Sequence, residues 1–274
     1  MKARTLGVKL VLGGILIVAV PLLVAGIISA VKSSNAFEEV ARSHAVDTAR
    51  HIADAVKLVL SKEMKIAVNL STDTHTVQLA ANIAKNGIGR AAAEVRGLDD
   101  KLTSLMAKTG NDYEALFITD RDGTIYADGN GGGYKGIQVA DRQYFKAAKE
   151  GKVNVDDVIK SKKSGHAVVT IGAPIISRTG EFLGALAVVL KVDFVANKVA
   201  SVKIGRTGYS FMVDKAGLAI AHPKKELVLV LNISQQDGLK EMAKDMLSLQ
   251  TGSVVYSFQG AKKVAGYAPV ELTG

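Results

Sequence analysis

The stretch ALFITDRDGTIYA, residues 115–127, carries the pattern that decides the fold. A short apolar run at 115–119 is followed by Asp120-Arg-Asp-Gly123 and then by a second apolar run at 124–127. Two such runs around an Asp-x-x-Gly sequence are typical of a tight β-hairpin, because aspartate and glycine favour the backbone angles of the turn. The sequence therefore predicts an antiparallel sheet that begins here.

The residues that follow extend this sheet. Residues 128–136 contain five glycines and predict a loop. The segment DRQYFKAA at 141–148 predicts a short helix with Asp141 as its cap. Apolar runs at 167–176 and 182–192 predict two long strands that pair across a turn at 177–180.

A shorter copy of the same order follows. A strand at 208–213, a turn at 214–217 and a return strand at 218–221 precede a helix at about 235–249. A last hairpin is predicted around Gln259 and Gly260. Two successive modules of one design are the natural interpretation, with a boundary between residues 194 and 205.

The N-terminal segment Leu10–Val31 has 22 residues without a charge, and Lys2, Arg4 and Lys9 precede it. A helix of this length is about long enough to cross a ~30 Å hydrocarbon core, and the cationic side should stay in the cytoplasm. A cleaved signal peptide is the alternative, although its apolar region usually has only ~7–15 residues. We expect an uncleaved anchor at 10–31, a cytoplasmic N-terminus at 1–9 and an extracytoplasmic remainder.

Residues 32–86 contain neither proline nor glycine, and they predict one long helix. Apolar residues follow steps of four and three along it, with Glu63 as the only break. This heptad-like seam comprises Ala45, Ala49, Ile52, Val56, Val59, Ile66 and Leu70. It could pack on its own domain, on a second subunit, or on both.

Composition excludes several classes of function. The net charge is +9, but three of the charges precede the membrane segment and the basic residues are not interleaved with aromatic ones, so we expect no nucleic-acid binding. There are no cysteines and no catalytic motif, and only His44 and His51 lie near each other on one helix face. These two are roughly 10 Å apart along the axis. We therefore expect neither an enzyme, nor a cofactor, nor a metal site.

The order of the motifs resembles the double Cache family of extracytoplasmic sensors. DRDG, DRQYFKAA, SKKSGHAVVTIGAPI and GEFLGALAVVLKVDF are similar to its membrane-distal module. KIGRTGYSFMVDKAGLAIAHP and TGSVVYSFQGAKKVAGYAPV are similar to its membrane-proximal module. The resemblance covers residues 33–274. It implies an α/β (α+β) fold with a transmembrane helix, a long signalling helix at 32–86, and two PAS-like modules with antiparallel sheets at 87–200 and 201–274.

The resemblance also implies a function. By this resemblance, the chain is expected to be the ligand-sensing region of a chemoreceptor in the bacterial inner membrane. This region is expected to face the periplasm or the exterior. Such a receptor is a homodimer that reaches cytoplasmic kinase-coupling machinery through a C-terminal region. Because the family normally returns through the membrane after the YAPV strand, we expect a fragment. The sensor of a histidine kinase or of a cyclic-dinucleotide enzyme, and an anchored solute-binding protein, are the alternatives.

The resemblance places a ligand pocket in the distal module. Arg142 matches the arginine that holds a ligand carboxylate, a role that suits the two-pronged guanidinium. Tyr144 and Phe145 match aromatic wall positions, and Asp157 matches a nearby acidic position. A surface ion pair is the alternative for Arg142, and core packing is the alternative for the two aromatic residues. Further candidates for the wall are Tyr126 and Tyr134.

Val189 departs from the pattern of amino-acid receptors, which carry an aspartate there for the ligand's amine. Ile159 and Ile137 replace two tyrosines of the same pattern. An ammonium buried against Val189 and Ile159 would leave donors unpaired, at a cost of about 1–3 kcal/mol for each group. The resemblance, with these departures, therefore predicts a small carboxylate ligand without an amine.

Overall fold

The structure is a computed structural model that describes residues 2–109, 111–258 and 260–272. The predicted turn residue Gln259 and the last two residues of the predicted proximal module lie outside the described residues. The described chain consists of a long N-terminal helix and two α/β modules, so the predicted fold class is confirmed.

Helix α1 runs from Lys2 to Ser71. Its apolar segment at 10–31 is long and apolar enough to cross a membrane, and none of it is buried against the rest of the protein. Helices α2, Thr74–Asn86, and α3, Ala92–Lys108, follow and are separated by a single 3₁₀ turn.

The predicted helix at 32–86 is interrupted between α1 and α2. The hydroxyls of Ser71 and Thr72 both donate to the carbonyl of Val68, and the Asp73 carboxylate accepts the N–H of Thr76. Serine, threonine and aspartate can replace backbone hydrogen bonds in this way, so they end one helix and cap the next. The interruption needs no proline or glycine.

The distal module is built on one antiparallel sheet. Its strands are β1, Tyr113–Thr119; β2, Ile125–Asp128; β3, Asn154–Val155; β4, Ile159–Lys160; β5, Ala167–Ile176; and β6, Phe182–Lys191. The order is β2-β1-β6-β5-β3, and β4 also pairs with β5. Helices α1–α3 cover one face, and helix α4, Gln143–Lys149, lies on the other. Along β1, Leu116 faces the helices and Phe117 faces α4, as the alternation of a strand requires.

The proximal module follows helix α5, Val192–Ala200. It contains β7, Lys203–Ile204; β8, Gly208–Tyr209; β9, Met212–Val213; β10, Ala219–Ala221; α6, Lys240–Met246; β11, Gly252–Phe258; and β12, Ala261–Tyr267. Within the described residues these strands form three separate two-stranded sheets. The predicted strand at 208–213 is divided at Ser210, whose hydroxyl donates to the Val199 carbonyl. The predicted helix at 235–249 is shorter than expected.

Strand β12 lies directly on α1. At Gly266 an added Cβ would stand 2.1 Å from the carbonyl carbon of Ala45, so only glycine permits this approach. Lys262 pairs with Glu38 at 2.7 Å, and this hydrogen bond lowers the pKa of Glu38. The last hairpin is therefore attached to α1 just outside the apolar segment.

Of the predicted seam residues on α1, Ala45 and Val56 are buried. They belong to a buried stripe that faces the protein's own modules and also comprises Ala53, Leu60, Glu63 and Ala67. Ile52, Val59, Ile66 and Leu70 are only half-buried. Glu63, the break in the seam, lies in the buried stripe because its carboxylate accepts the hydroxyl proton of Tyr113 in β1.

Tyr113→Phe should destabilise the protein. The substitution removes the hydroxyl and leaves the Glu63 carboxylate buried without this donor. We expect a loss of about 1–3 kcal/mol in the free energy of unfolding, measured by urea denaturation of the whole chain in detergent micelles. Tyr209→Phe is the matched control, since Tyr209 is 49% exposed. Equal stability of the two variants would contradict the prediction.

Candidate functional site

The face of the distal sheet that carries α4 holds a compact apolar cluster. Its buried members are Ala115, Phe117, Ile125, Tyr134, Val139, Tyr144, Phe145, Ala148, Val168, Ala185, Ala187 and Val189. Helix α4 approaches β5 closely at Gly172, where an added Cβ would stand 2.7 Å from the carbonyl oxygen of Tyr144. This contact fixes the start of α4, and with it Arg142, above the sheet.

Arg142 immediately precedes α4 and is half-buried. Its Nη2 lies 3.5 Å from the carbonyl oxygen of Lys160, at the edge of hydrogen-bonding distance. The alternative of a surface ion pair is not what the structure shows. Asp141 pairs with Lys162 at 2.7 Å instead, and Glu150 pairs with a different lysine. No ion pair among the described residues includes Arg142.

Asp141 also does not cap α4, as the sequence suggested. Helix α4 begins after Arg142 without a side-chain cap, and the Asp141 carboxylate is turned toward Lys162. That hydrogen bond lowers the pKa of Asp141. The pairing leaves the Arg142 guanidinium without its nearest carboxylate neighbour in the sequence.

Tyr144 and Phe145, in the first turn of α4, are both buried in the cluster. The Phe145 ring packs edge-on against Phe182, with 5.8 Å between ring centroids. Burial raises the pKa of the Tyr144 phenol, and the nearby Arg142 charge opposes that shift. Arg142 and Tyr144 therefore lie near each other at the start of α4.

The acidic side chain at the site is Asp156 rather than Asp157. Asp157 is exposed and pairs with Lys215 at 2.9 Å. Asp156 is buried, and its carboxylate accepts the N–H of Asp157 at 2.9 Å and that of Tyr144 at 3.5 Å. Consecutive side chains of an extended segment point in opposite directions. The match to Asp157 therefore fell on the residue that points to solvent, next to the buried Asp156.

The other predicted wall residues divide between the two faces of the sheet. Tyr134 lies in the cluster, where its ring stacks on Phe117 with 6.1 Å between centroids. Val189 is also in the cluster and is 5% exposed. Tyr126 lies on the opposite face among the helices, and its buried hydroxyl has no hydrogen-bond partner among the described residues. Tyr126 is therefore not part of this site.

Sequence reasoning missed Glu114. Its carboxylate accepts the Tyr134 hydroxyl at 3.1 Å and the Ser164 hydroxyl at 2.8 Å. The register of β1 against β6 shifts between Tyr113 and Ala115, which places Glu114 at a bulge. A charged residue inside an otherwise apolar strand was the available signal.

Two cavities lie elsewhere in the protein. One of about 330 Å³ lies where α1 gives way to α2, beside the end of β5. The other, of about 290 Å³, lies between α1 and α5 and has an apolar lining. Arg142 lines neither of them.

The comparisons with known proteins agree with this architecture. The family profile described as a Cache domain matches residues 32–274, so the chain belongs to the Cache domain family. The chain is 22% identical over 283 aligned residues to the methyl-accepting chemotaxis protein McpA of Bacillus subtilis. That alignment covers 100% of this chain and 38% of McpA. The chain thus spans about two-fifths of the length of this relative.

Two solved structures show the same fold. The ligand-binding domain of the Campylobacter jejuni chemoreceptor Tlp3, in complex with 4-methylisoleucine, gives a TM-score of 0.63 at 14% identity, covering 82% of this chain and 85% of that one. The ligand-binding domain of the Pseudomonas aeruginosa chemoreceptor PctB, in complex with L-Arg, gives a TM-score of 0.58 at 18% identity, covering 84% of this chain and 88% of that one.

Among the described residues, no group of three or more acidic, histidine or cysteine side chains could hold a metal ion.

The stability of the protein should depend on pH through Asp156. Burial raises the pKa of Asp156 above 3.8, so the folded state binds this proton more tightly than the unfolded chain. Such a group weakens the fold above its folded pKa, and the penalty is relieved as the pH falls through that value.

Asp156→Asn removes this penalty. As the pH is lowered from about 7 to about 4, the natural protein should therefore become more stable relative to the variant. Thermal denaturation of both proteins across this range measures the difference. If the difference in melting temperature between the two proteins stays constant, or if the variant gains stability relative to the natural protein as the pH falls, Asp156 does not titrate in this way.

Proposed function

We propose that this chain is the extracytoplasmic ligand-sensing region of a transmembrane chemoreceptor. Residues 10–31 cross the bacterial inner membrane, and the two modules lie on its outer side. The support comes from the exposed apolar segment of α1 and from the similarity to chemotaxis receptors. The full receptor reaches its kinase-coupling machinery through sequence that corresponds to the remainder of McpA.

The ligand proposal rests on one observation, the burial and the contacts of the Arg142 guanidinium. A half-buried guanidinium without an ion-pair partner among the described residues, beside a buried phenol, is suited to a ligand carboxylate. Two parallel charge-assisted hydrogen bonds can then form. The ligand carboxylate would take the place of the weak contact to the Lys160 carbonyl.

We further propose that the ligand is a small organic carboxylate without an amine. Val189 and the half-buried Ile159 belong to the apolar wall and offer no hydrogen-bond acceptor from their side chains. An ammonium placed against them would lose its hydration without compensation. The apolar cluster instead fits a compact hydrocarbon body.

A free amino acid is the second candidate, and Asp156 is the observation that favours it. Its buried carboxylate lies near Arg142 and Tyr144 and could accept an ammonium. The related domains of Tlp3 and PctB were solved with an amino acid or a close analogue. The two candidates differ only in whether the ligand carries an amine.

A panel of ligands separates the two candidates. Acetate, lactate, succinate and malate form one arm, and the twenty L-amino acids form the other. The measurement is isothermal titration calorimetry on the whole chain in detergent micelles. We expect heat of binding only in the organic-acid arm. Tight binding of ordinary amino acids, with none of the organic acids, would reverse the assignment.

Arg142→Ala should abolish the thermal stabilisation produced by any ligand found in this panel. The melting temperature of the free protein should hardly change, since the Arg142 side chain makes a single hydrogen bond of 3.5 Å among the described residues. Arg178→Ala is the matched control, because Arg178 is exposed on the turn between β5 and β6. If Arg142→Ala keeps the full ligand-induced shift, the site is misassigned.

Signal transmission in this proposal is a shift in population. A ligand changes the output only if it binds one conformation of the distal module more tightly than another. Helix α1 contacts both modules and continues into the membrane segment. We propose that the half-buried residues Val59 and Ile66 of α1 pack against a second copy in a homodimer.

A further inference from the structure

Glu114 is a buried carboxylate that joins two separate segments at the rim of the site. It is 8% exposed. Its Oε1 accepts the hydroxyl proton of Tyr134 at 3.1 Å, and its Oε2 accepts that of Ser164 at 2.8 Å. His166 Nδ1 stands 4.0 Å from the same Oε2. One side chain of β1 therefore binds partners from two stretches of chain.

The first stretch is the glycine-rich loop at 129–136, which supplies Tyr134. The backbone of this loop does not depend on the Glu114 side chain, although Asn130 donates to the Glu114 backbone carbonyl at 2.9 Å. The fully buried carboxylate of Asp128 accepts the N–H groups of Asn130, Gly132 and Tyr134, each at 2.8 Å. What Glu114 holds in this loop is the phenol ring of Tyr134.

The second stretch is the turn at 161–166 between β4 and β5. It is closed by a hydrogen bond from the Ser161 N–H to the His166 carbonyl at 2.9 Å. Lys160, at the base of this turn, presents its carbonyl to Arg142. The turn is therefore a neighbour of the proposed carboxylate site, and Ser164 links it to β1.

We propose that Glu114 is a positioning residue that holds the Tyr134 ring and the 161–166 turn together at the rim of the site. We call this set of hydrogen bonds the latch. Hydrogen bonds to an ionised carboxylate are stronger than neutral ones, so a single residue suffices to hold both segments. A ligand that enters beside Arg142 meets this latch and displaces its parts. The last step rests on the proposed function, whereas the latch itself does not.

The latch is tested on the whole chain in detergent micelles, without any ligand. Hydrogen–deuterium exchange follows the amides of the 161–166 turn, and nitration by tetranitromethane, read by mass spectrometry, follows the Tyr134 ring. In Glu114→Gln the exchange rate of the turn amides should rise about tenfold, and the nitration rate of Tyr134 should also rise. Burial and the adjacent Glu114 carboxylate raise the pKa of Tyr134, so nitration of the natural protein is slow.

Two further variants complete the design. Ser164→Ala should speed exchange in the turn while changing Tyr134 nitration less than Glu114→Gln does. Asp157→Asn removes an exposed carboxylate paired with Lys215, and it should leave both readouts unchanged. Unchanged readouts in Glu114→Gln would overturn the proposal. Faster exchange throughout β1 and β6 would also overturn it, because that pattern indicates general destabilisation. A failure of the ligand panel would leave these results untouched.

Discussion

The pairing of β5 with β6 is the constraint on which the rest of the structure depends. The two strands are ten residues long and antiparallel, and their side chains are buried on both faces. Leu186 faces the helices, whereas Ala185 and Ala187 face the cluster around Arg142. The sheet therefore separates α1 from the candidate site.

Strand β1 contacts both sides of the sheet. Tyr113 and Glu114 are consecutive residues, yet the first contacts Glu63 of α1 and the second binds Tyr134 and Ser164 at the site. Adjacent side chains of a strand point to opposite faces of the sheet, and the bulge then leaves Ala115 on the same side as Glu114. Two consecutive residues of β1 thus contact helix α1 on one side and the candidate site on the other.

Much of the fold could be predicted because it is encoded locally. The turn at Asp120 is stabilised by that residue's own carboxylate, which accepts the N–H groups of Asp122 and Thr124. The β5 and β6 ranges follow from unbroken apolar runs. The end of α1 at Ser71 was missed because its signal is a cluster of hydroxyls and a carboxylate rather than a helix breaker.

The site was only partly predictable, since it depends on which way each side chain points. Tyr126 and Asp157 have suitable chemistry but face the helices and the solvent, respectively. Asp156 and Glu114 are the buried carboxylates near the candidate site, and no local pattern marks Asp156 as inward-facing. In an extended segment a shift of one residue reverses the face, and motif matching does not resolve such a shift.

The sequence by itself determined the apolar N-terminal helix, the strand–turn–strand units and their order, because hydrophobic periodicity and turn residues act over a few positions. Only the tertiary structure decided that Arg142 has no ion-pair partner among the described residues, that Asp141 is held by Lys162, and that Glu114 joins two distant loops. These outcomes depend on contacts between residues far apart in the chain. Their distances are set by sheet register and packing rather than by neighbours in the sequence.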